Sequence, residues 1–446
     1  MNLRQFIASA PGLVRIERPV SPWLEAAGVI AALDGSPVLF EDVAGWRLLS
    51  GLCSSRAGIA ASLGLSEMAL LQHLSTAMRQ PSQPPILASA PCQEVRLQPP
   101  HLSRLPILKH IEGDGGPYIT AGVAVVNDPV FGRNVSIHRM MLIGERELVV
   151  RVVEGRGTHT AWSRSEEDLP IAVAIGCPIQ VLLAAAMSPA KGVDEFGIAN
   201  ALAPTPLVNC LTNPLQVPAE AELIIEGRLT HRMAQEGPFI DLTETWDGVR
   251  PQPVFEVDCI THRNDPIYHA ILPGLTEHKL LMGLPREPGI YNAVASVCDV
   301  RNVKLSPGGM CWLHALVQIR KRTPEDGRRA IEATLQGHPS VKMVTVVDDD
   351  VDIDDPYQVE WAVATRVQAG QDVYIYRDQP SSSLDPSARQ IPGRRGLTDK
   401  MGIDATIPWP ASASEAEVER RLLDFRRVAY PQANLADYRP RGHVGG

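Results

Sequence analysis

The sequence predicts a mixed α/β (α+β) fold with a strand-rich centre, and three observations carry that expectation. Residues 1 to about 80 and those beyond 300 alternate strand-like and helical periodicity, whereas residues from about 100 to 300 read as strands separated by Gly and Pro. Between the first two regions lies the proline-rich break Gln80-Pro81-Ser82-Gln83-Pro84-Pro85. The chain has 446 residues, and at about 150 residues per domain it should form two or three domains. The expected division is an N-terminal α/β lobe over 1–99, a β-rich central domain over 100–300 and a C-terminal α/β domain over 301–446 that ends in a helix.

In the first region, Ser36 to Glu41 reads as a short strand after a turn, and Ser66 to Leu74 as an amphipathic helix capped by Ser66. In the second, Tyr118 to Val126 runs into the turn Asn127-Asp128-Pro129, with the strand Gly132 to Met141 as its hairpin partner. Another strand, Leu148 to Val153, leads into Gly155-Arg156-Gly157-Thr158-His159. The run Cys177 to Met187 is continuously apolar and suits a strand buried on both faces. After it, Asp194 is placed to cap a short helix with Glu195 in its first turn.

In the third region, the strand Cys311 to Ile319 precedes a helix start at Thr323-Pro324, and Val341 to Val347 is a further strand. The acidic run Asp348 to Asp355 resembles a calcium loop only in part. Asp355 stands where that loop needs glycine and Trp361 where it needs glutamate, so the run reads as a strand end plus an N-cap for the helix Tyr357 to Arg366. Ser414 to Phe425 is amphipathic, with Val418, Leu422 and Phe425 on one stripe. Such a helix has little to bury against in its own domain and is expected to pack across a homodimer or higher homo-oligomer interface.

Composition narrows the function classes. With 44% hydrophobic and 21% charged residues the chain is an ordinary globular one, and its net charge of -9 argues against nucleic acid as the partner. The N-terminus lacks a continuous apolar segment and no stretch reaches the eighteen or so apolar residues of a membrane span. A cytoplasmic protein without a membrane partner is expected. Seven scattered cysteines without a CxxC pair read as reduced core residues.

Two stretches concentrate chemistry. In Gly132 to Met141, period-two alternation puts Asn134, Ser136 and His138 on one face and Val135, Ile137 and Arg139 on the other, so polar groups sit on both. A guanidinium facing a core needs a partner; the alternative is an edge strand with a solvated face. In Ala234 to Asp241, the Gly237-Pro238 turn can bring Glu236 and Asp241 to one spot, where neighbouring carboxylates titrate apart as acid/base work requires. The alternative there is a solvated turn with two surface acids.

The ordered set Asn134-x-Ser136-Ile137-x-Arg139, His159, Gly192-Val193-Asp194-Glu195, Glu236-Gly237-Pro238-Phe239-x-Asp241 and Val347-Asp348-Asp349-Asp350-Val351-Asp352-Ile353 resembles the UbiD family of decarboxylases. The match runs from about residue 100 to about 405. The resemblance implies a central split-barrel domain for prenylated FMN and reversible, non-oxidative decarboxylation of an α,β-unsaturated or (hetero)aromatic carboxylic acid. It implies that Asn134, His159 and Glu195 hold a divalent metal, typically manganese (Mn2+), against the cofactor phosphate, a donor set that suits such a cation. Ser136, Ile137, Thr158 and Met187 would line the flavin, with His138 and Arg139 beside them, and potassium (K+) would bind backbone carbonyls nearby. The catalytic trio would be Arg139, Glu236 and Asp241, with Arg139 orienting the substrate carboxylate and Asp241 protonating the carbon after carbon dioxide leaves. A regular strand aims Arg139 away from Asn134, so a bulge or twist is expected there. A flavin prenyltransferase would supply the cofactor. A flavin- or metal-binding homologue without turnover and a non-catalytic assembly subunit are the alternatives, and retention of all three trio positions favours the enzyme.

By the same resemblance, Pro273 to Arg286 closes one side of the substrate pocket, with Met282 facing the substrate. His278 and Arg286 are eight apart, roughly 12 Å along a continuous helix, so only a break at Gly283 or Pro285 brings them together. The expected substrate carries a distal polar or anionic group met by Arg286. The alternative is that His278 lies on the helix surface and Arg286 pairs with Glu287.

Overall fold

A computed structural model describes residues 1–391, 394–409, 414–425, 428, 430–431 and 433–434. Six central strands close on one another: β1 (Tyr118–Asp128), β2 (Gly132–Gly144), β3 (Glu147–Val150), β4 (Leu169–Ile175), β5 (Leu223–Glu236) and β6 (Arg250–His262). Their order is β5-β4-β1-β2-β3-β6, and β6 pairs back onto β5 to complete a barrel. Alternate side chains explain the apolar density of these strands. Val123, Val125, Ala172 and Ala174 point outward to a core shared with helices, while Ala124, Val126, Ile171 and Val173 fill the interior with Phe255 and Val257. The β1–β2 hairpin pairs Val126 with Asn134, as expected from the Asn127-Asp128-Pro129 turn.

The run Cys177 to Met187 is a helix rather than a strand: α2 spans Ile179–Ala186 and is buried throughout. An element buried on every side shows no amphipathic period, so apolarity alone could not distinguish the two; Pro178 just before the first turn and three successive alanines decide for helix. The glycine-rich stretch before it is likewise partly helical, since α1 covers Gly157–Arg164. Beyond α2, α3 (Glu195–Leu202) begins as expected, with Asp194 accepting the Phe196 N–H at 3.0 Å.

The N-terminal lobe is a four-stranded sheet of Val14–Ile16, Val38–Val43, Trp46–Ser50 and Ile267–His269, the last supplied by the chain after it leaves the barrel. Ser66 stands at the N-cap of the helix Glu67–Arg79, although its hydroxyl makes no capping bond. The C-terminal sheet runs Asp299–Leu305, His314–Arg320, Met343–Asp348, Arg394–Asp404 and Val373–Pro380, flanked by helices Asp326–Gly337 and Pro356–Arg366. Its acidic run holds the fold together. Asp355 caps the second helix by accepting the Tyr357 N–H, and Asp348 and Asp350 pair with the buried Arg366. Arg366 also donates to the carbonyl of Phe425 at 3.1 Å, which ties the terminal helix Glu415–Phe425 to this domain. The side chains of Val418 and Leu422 lie outside the described residues. All seven cysteines are free thiols, and no helix among the described residues is long and apolar enough to cross a membrane.

Candidate active site

Strand β2 carries the site on both of its faces. On one, Asn134 Nδ2 donates to Ser136 Oγ at 3.3 Å and to Thr158 Oγ1 at 3.2 Å, while Ser136 Oγ lies 3.0 Å from both His138 Nε2 and Thr158 Oγ1. His138 Nδ1 is 2.9 Å from the Arg151 carbonyl, which can only accept, so this nitrogen carries the proton and Nε2 receives a hydroxyl. Burial lowers the pKa of His138 and keeps the ring neutral. On the other face, Val135 and Ile137 pack into the core that holds Met187 and Phe196.

Arg139 sits on that second face and reaches a separate acidic cluster. The irregularity expected near it lies in the partner strand: Ile119 opposes Met140 and Gly122 opposes His138, so Thr120 and Ala121 together face Arg139. Arg139 donates from Nε and Nη2 to the two oxygens of Glu236 at 2.9 and 3.0 Å, from Nη1 to Asp241 at 2.5 Å, and from Nη2 to Asp247 at 2.6 Å. Its guanidinium also stands 4.7 Å from the Phe239 ring centre. Burial opposes this charge, but the bonds to Glu236 and the nearby acids outweigh it and hold the pKa of Arg139 above its ordinary value. Glu236 is fully buried and takes a further bond from the Tyr118 hydroxyl at 3.2 Å.

The Gly237-Pro238 turn accounts for the convergence. It ends β5 at Glu236 and turns the chain into the hairpin Phe239–Ile240 and Trp246–Asp247, in which Phe239 opposes Asp247. Asp241 and Asp247 therefore arrive from the two arms of one hairpin. Sequence reasoning missed Asp247, together with Arg151 and Arg250 that pair with it. The Asp247-Gly248 dipeptide marks the end of the second arm of the hairpin, but no local pattern announces contact with a residue over a hundred positions away.

The residues expected to hold a metal come from three elements that meet at β2. The carboxyl of Glu195, in the first turn of α3, accepts the Val135 N–H at 3.0 Å. Burial pushes its pKa up to about 7, with Asp194 adding to the rise. Asn134 lies against the first turn of α1, where a Cβ on Gly157 would come within 1.7 Å of its Oδ1, so only glycine admits the amide there. His159, also in that turn, is half-buried with its ring 6.1 Å from Trp162. Among the described residues no three His, Cys, Asp or Glu side chains gather into a metal centre; this set contributes two of that kind and an amide. Its chemistry nonetheless fits a cation beside a phosphate, because a buried carboxyl at neutral pH seeks a positive partner and two helix N-termini favour the anion.

The segment after the barrel tightens at the expected break, and its backbone stays right-handed helical throughout. Helix α4 (Thr276–Gly283) gives way to a tighter turn at Leu284–Arg286, since Gly283 lies against the Cys311 carbonyl where a Cβ would approach to 2.3 Å. His278 Nδ1 accepts the Gly274 N–H at 3.0 Å, and burial lowers its pKa, with Asp241 and Arg139 close enough to act on it. Met282 is half-buried on the same helix. Arg286 does not pair with Glu287, whose carboxylate is taken by Arg56 at 2.8 and 2.9 Å and by the Leu305 N–H. Instead Arg286 has no ion-pair partner among the described residues, its Nε is buried without a hydrogen bond, and its guanidinium stands 5.4 Å from the Trp312 ring. Burial, and then the charge of Arg156, push its pKa down to about 9. Two buried carboxylates bracket the segment: Glu287 at its end, and Glu277, which accepts the Gly51 and Cys53 N–H groups at 2.6 and 3.0 Å.

Known proteins share this architecture. Models of the 3-octaprenyl-4-hydroxybenzoate carboxy-lyase N-terminal, Rift-related and C-terminal domains match residues 5–78, 86–276 and 279–405. An anhydromevalonate phosphate decarboxylase from Methanothermobacter thermautotrophicus is 43% identical over 91% of this chain and 96% of its own. The UbiD-class enzyme HmfF from Pelotomaculum thermopropionicum, solved with FMN, superposes with a TM-score of 0.90 at 38% identity, covering 98% of this chain and 100% of that one. An evolved dimeric form of HmfF with prFMN gives 0.87 at 36% identity, covering 98% and 99%.

Proposed function

The chain belongs to the UbiD family of carboxy-lyases, and on that premise we propose that it decarboxylates a compact α,β-unsaturated acid bearing a distal phosphate, with prenylated FMN as cofactor. Arg286 is the observation that carries the substrate reading. A half-buried guanidinium with its Nε enclosed and no carboxylate partner among the described residues, with a second cation nearby at Arg156, is costly unless an anion arrives to meet it. Relatives over 40% identical are named for a substrate that carries both a phosphate and a removable carboxylate.

Asn134, His159 and Glu195 would hold the divalent cation, manganese by family resemblance, against the cofactor phosphate. Ser136, Ile137, His138, Thr158 and Met187 would line the flavin, with potassium on neighbouring backbone carbonyls. When bound, the prenylated flavin supplies the electron sink that loss of carbon dioxide requires. Arg139 binds and orients the substrate carboxylate, and Glu236 holds Arg139 in place. Asp241 delivers a proton to the carbon that carbon dioxide leaves. Its side chain is a methylene shorter than the glutamate of some members, yet the hairpin brings it to within 2.5 Å of Arg139. His278 and Met282 complete the wall opposite.

The test is co-production with a flavin prenyltransferase, mass spectrometry of the bound flavin, and carbon dioxide release from the unsaturated acid phosphate and from its phosphate-free form. Release from the phosphorylated acid is expected to dominate. Failure of both acids to exchange labelled carbon dioxide would leave a cofactor-binding homologue without turnover.

Glu195→Gln removes the charged ligand and is expected to lower metal content and flavin loading together; a fully loaded flavin with unchanged metal would contradict this. In the wild type a proton competes with the cation at Glu195. With a pKa of about 7, metal retention should be full at pH 8 and weaken as pH falls below 7. Inductively coupled plasma analysis after dialysis at each pH reads the effect.

The terminal helix is proposed to pack against a second copy of the chain. Its Leu423 side chain is two-thirds exposed, at 66%, while Arg366 anchors only the backbone end of the helix. Ending the chain before Ala411 is expected to reduce the oligomer to smaller species by light scattering, and an intact oligomer would refute it.

A further inference from the structure

The ion cluster around Arg139 engages four of the five guanidinium N–H groups and leaves a substrate carboxylate no bidentate seat. The Nε and Nη2 edge of the guanidinium grips Glu236, Nη1 grips Asp241, and Nη2 is shared with Asp247. For a carboxylate to dock on this cation through both of its oxygens, one of the three acids must withdraw. They are not equally free to do so. Glu236 is bidentate, fully buried and held again by Tyr118. Asp241 is tied through its other oxygen to the Leu242 N–H at 2.6 Å. Asp247 alone among the three has other cations to fall back on: Arg250 is bonded to its second oxygen, and Arg151 Nε lies 3.7 Å from the first.

We propose that Asp247 is an internal counter-anion that occupies the substrate's carboxylate seat on Arg139 in the empty site and retreats onto Arg250 and Arg151 when the substrate arrives. The charge count supports the exchange. Arg139, Arg151 and Arg250 face Glu236, Asp241 and Asp247, three against three, with the largely solvated Glu154 also within reach of Arg151. A balanced cluster stays closed to stray anions, and a carboxylate enters only by displacing one already there, so ligands with additional contacts are favoured. Once carbon dioxide has left, the seat is empty again and Asp247 returns to it. Asp247 is thus a positioning residue that acts on the substrate through Arg139. The inference rests on the reading that Arg139 receives the substrate carboxylate and is independent of the distal phosphate.

The two partners make opposite predictions, which a merely structural role would not. Asp247→Asn removes the competitor and is expected to tighten carboxylate binding roughly tenfold. Arg250→Gln removes the fallback, keeps Asp247 on Arg139 and is expected to weaken binding by several-fold. In the double variant the Arg250→Gln effect should vanish, because the residue it serves is gone. The holoenzymes are titrated by calorimetry with the saturated analogue of the unsaturated acid phosphate and with its phosphate-free form, neither of which can react. Equal affinity in wild type and both single variants, or weakening in both, overturns the inference alone. Absence of carboxylate binding by all of the proteins overturns it together with the reading it rests on. If Asp247→Asn does not fold, strengthened or unchanged binding in Arg250→Gln is sufficient to overturn it.

Discussion

Asp241→Asn is expected to keep the fold and the bound flavin while cutting turnover by roughly 10²–10⁴-fold, the range for a positioned acid or base. The amide preserves shape and can still meet Arg139, but it holds no exchangeable acid proton to give to carbon. Glu236→Gln and Arg139→Ala are expected to be comparably inactive, because members of one hydrogen-bonded constellation fail together rather than additively. Their side effects differ. Arg139→Ala strands three carboxylates in one partly buried cluster and should lower thermal stability, whereas Asp241→Asn should not. Single-turnover carbon dioxide release, read beside the flavin absorbance, separates loss of chemistry from loss of cofactor. If Asp241→Asn retains more than a tenth of the activity, the proton comes from elsewhere.

Arg286→Ala is expected to lower kcat/KM for the phosphorylated acid by roughly 10²–10³-fold, since losing one partner of a desolvated charge pair costs about 3–4 kcal/mol. The phosphate-free acid should be nearly indifferent to the change, or gain slightly as an unpaired, half-buried cation disappears. In the wild type the same imbalance should make the phosphate-free acid poorer by on the order of 10³-fold or more, because a site built for a polar group rejects the analogue that lacks it. Steady-state kinetics with both acids and both proteins decides the matter. An equal loss on both substrates would mean that Arg286 supports the fold of the Gly283 break rather than the ligand.

The sequence made the barrel strands legible because their periods and turns are local: Asn127-Asp128-Pro129 announces a hairpin, and the structure pairs Val126 with Asn134 across it. It made Glu236 and Asp241 legible for the same reason, since both flank one Gly-Pro turn. Helix α2 was misjudged because a wholly buried helix and a wholly buried strand present the same unbroken apolarity. Asp247 was invisible because its meaning lies in a hairpin folding back onto Arg139 from a distant part of the chain. The isolation of Arg286 was hidden by its neighbour: adjacency to Glu287 suggested a pair, and only the three-dimensional claim of Arg56 on that carboxylate shows the cation alone.

Strand β2 presents Asn134, Ser136 and His138 on one side and Arg139 on the other. The offset between the Asn134, Ser136 and His138 face and the Arg139 cluster is therefore written in covalent backbone, at about 3.3 Å per residue, and side-chain exchange elsewhere cannot alter it. The segment that carries His278, Met282 and Arg286 hangs from other anchors, Glu277 and Glu287. Under the proposed function, drift in that segment would change which acid is accepted without disturbing how it is decarboxylated. A lineage carrying this architecture can thus diversify its diet while its chemistry stays in register.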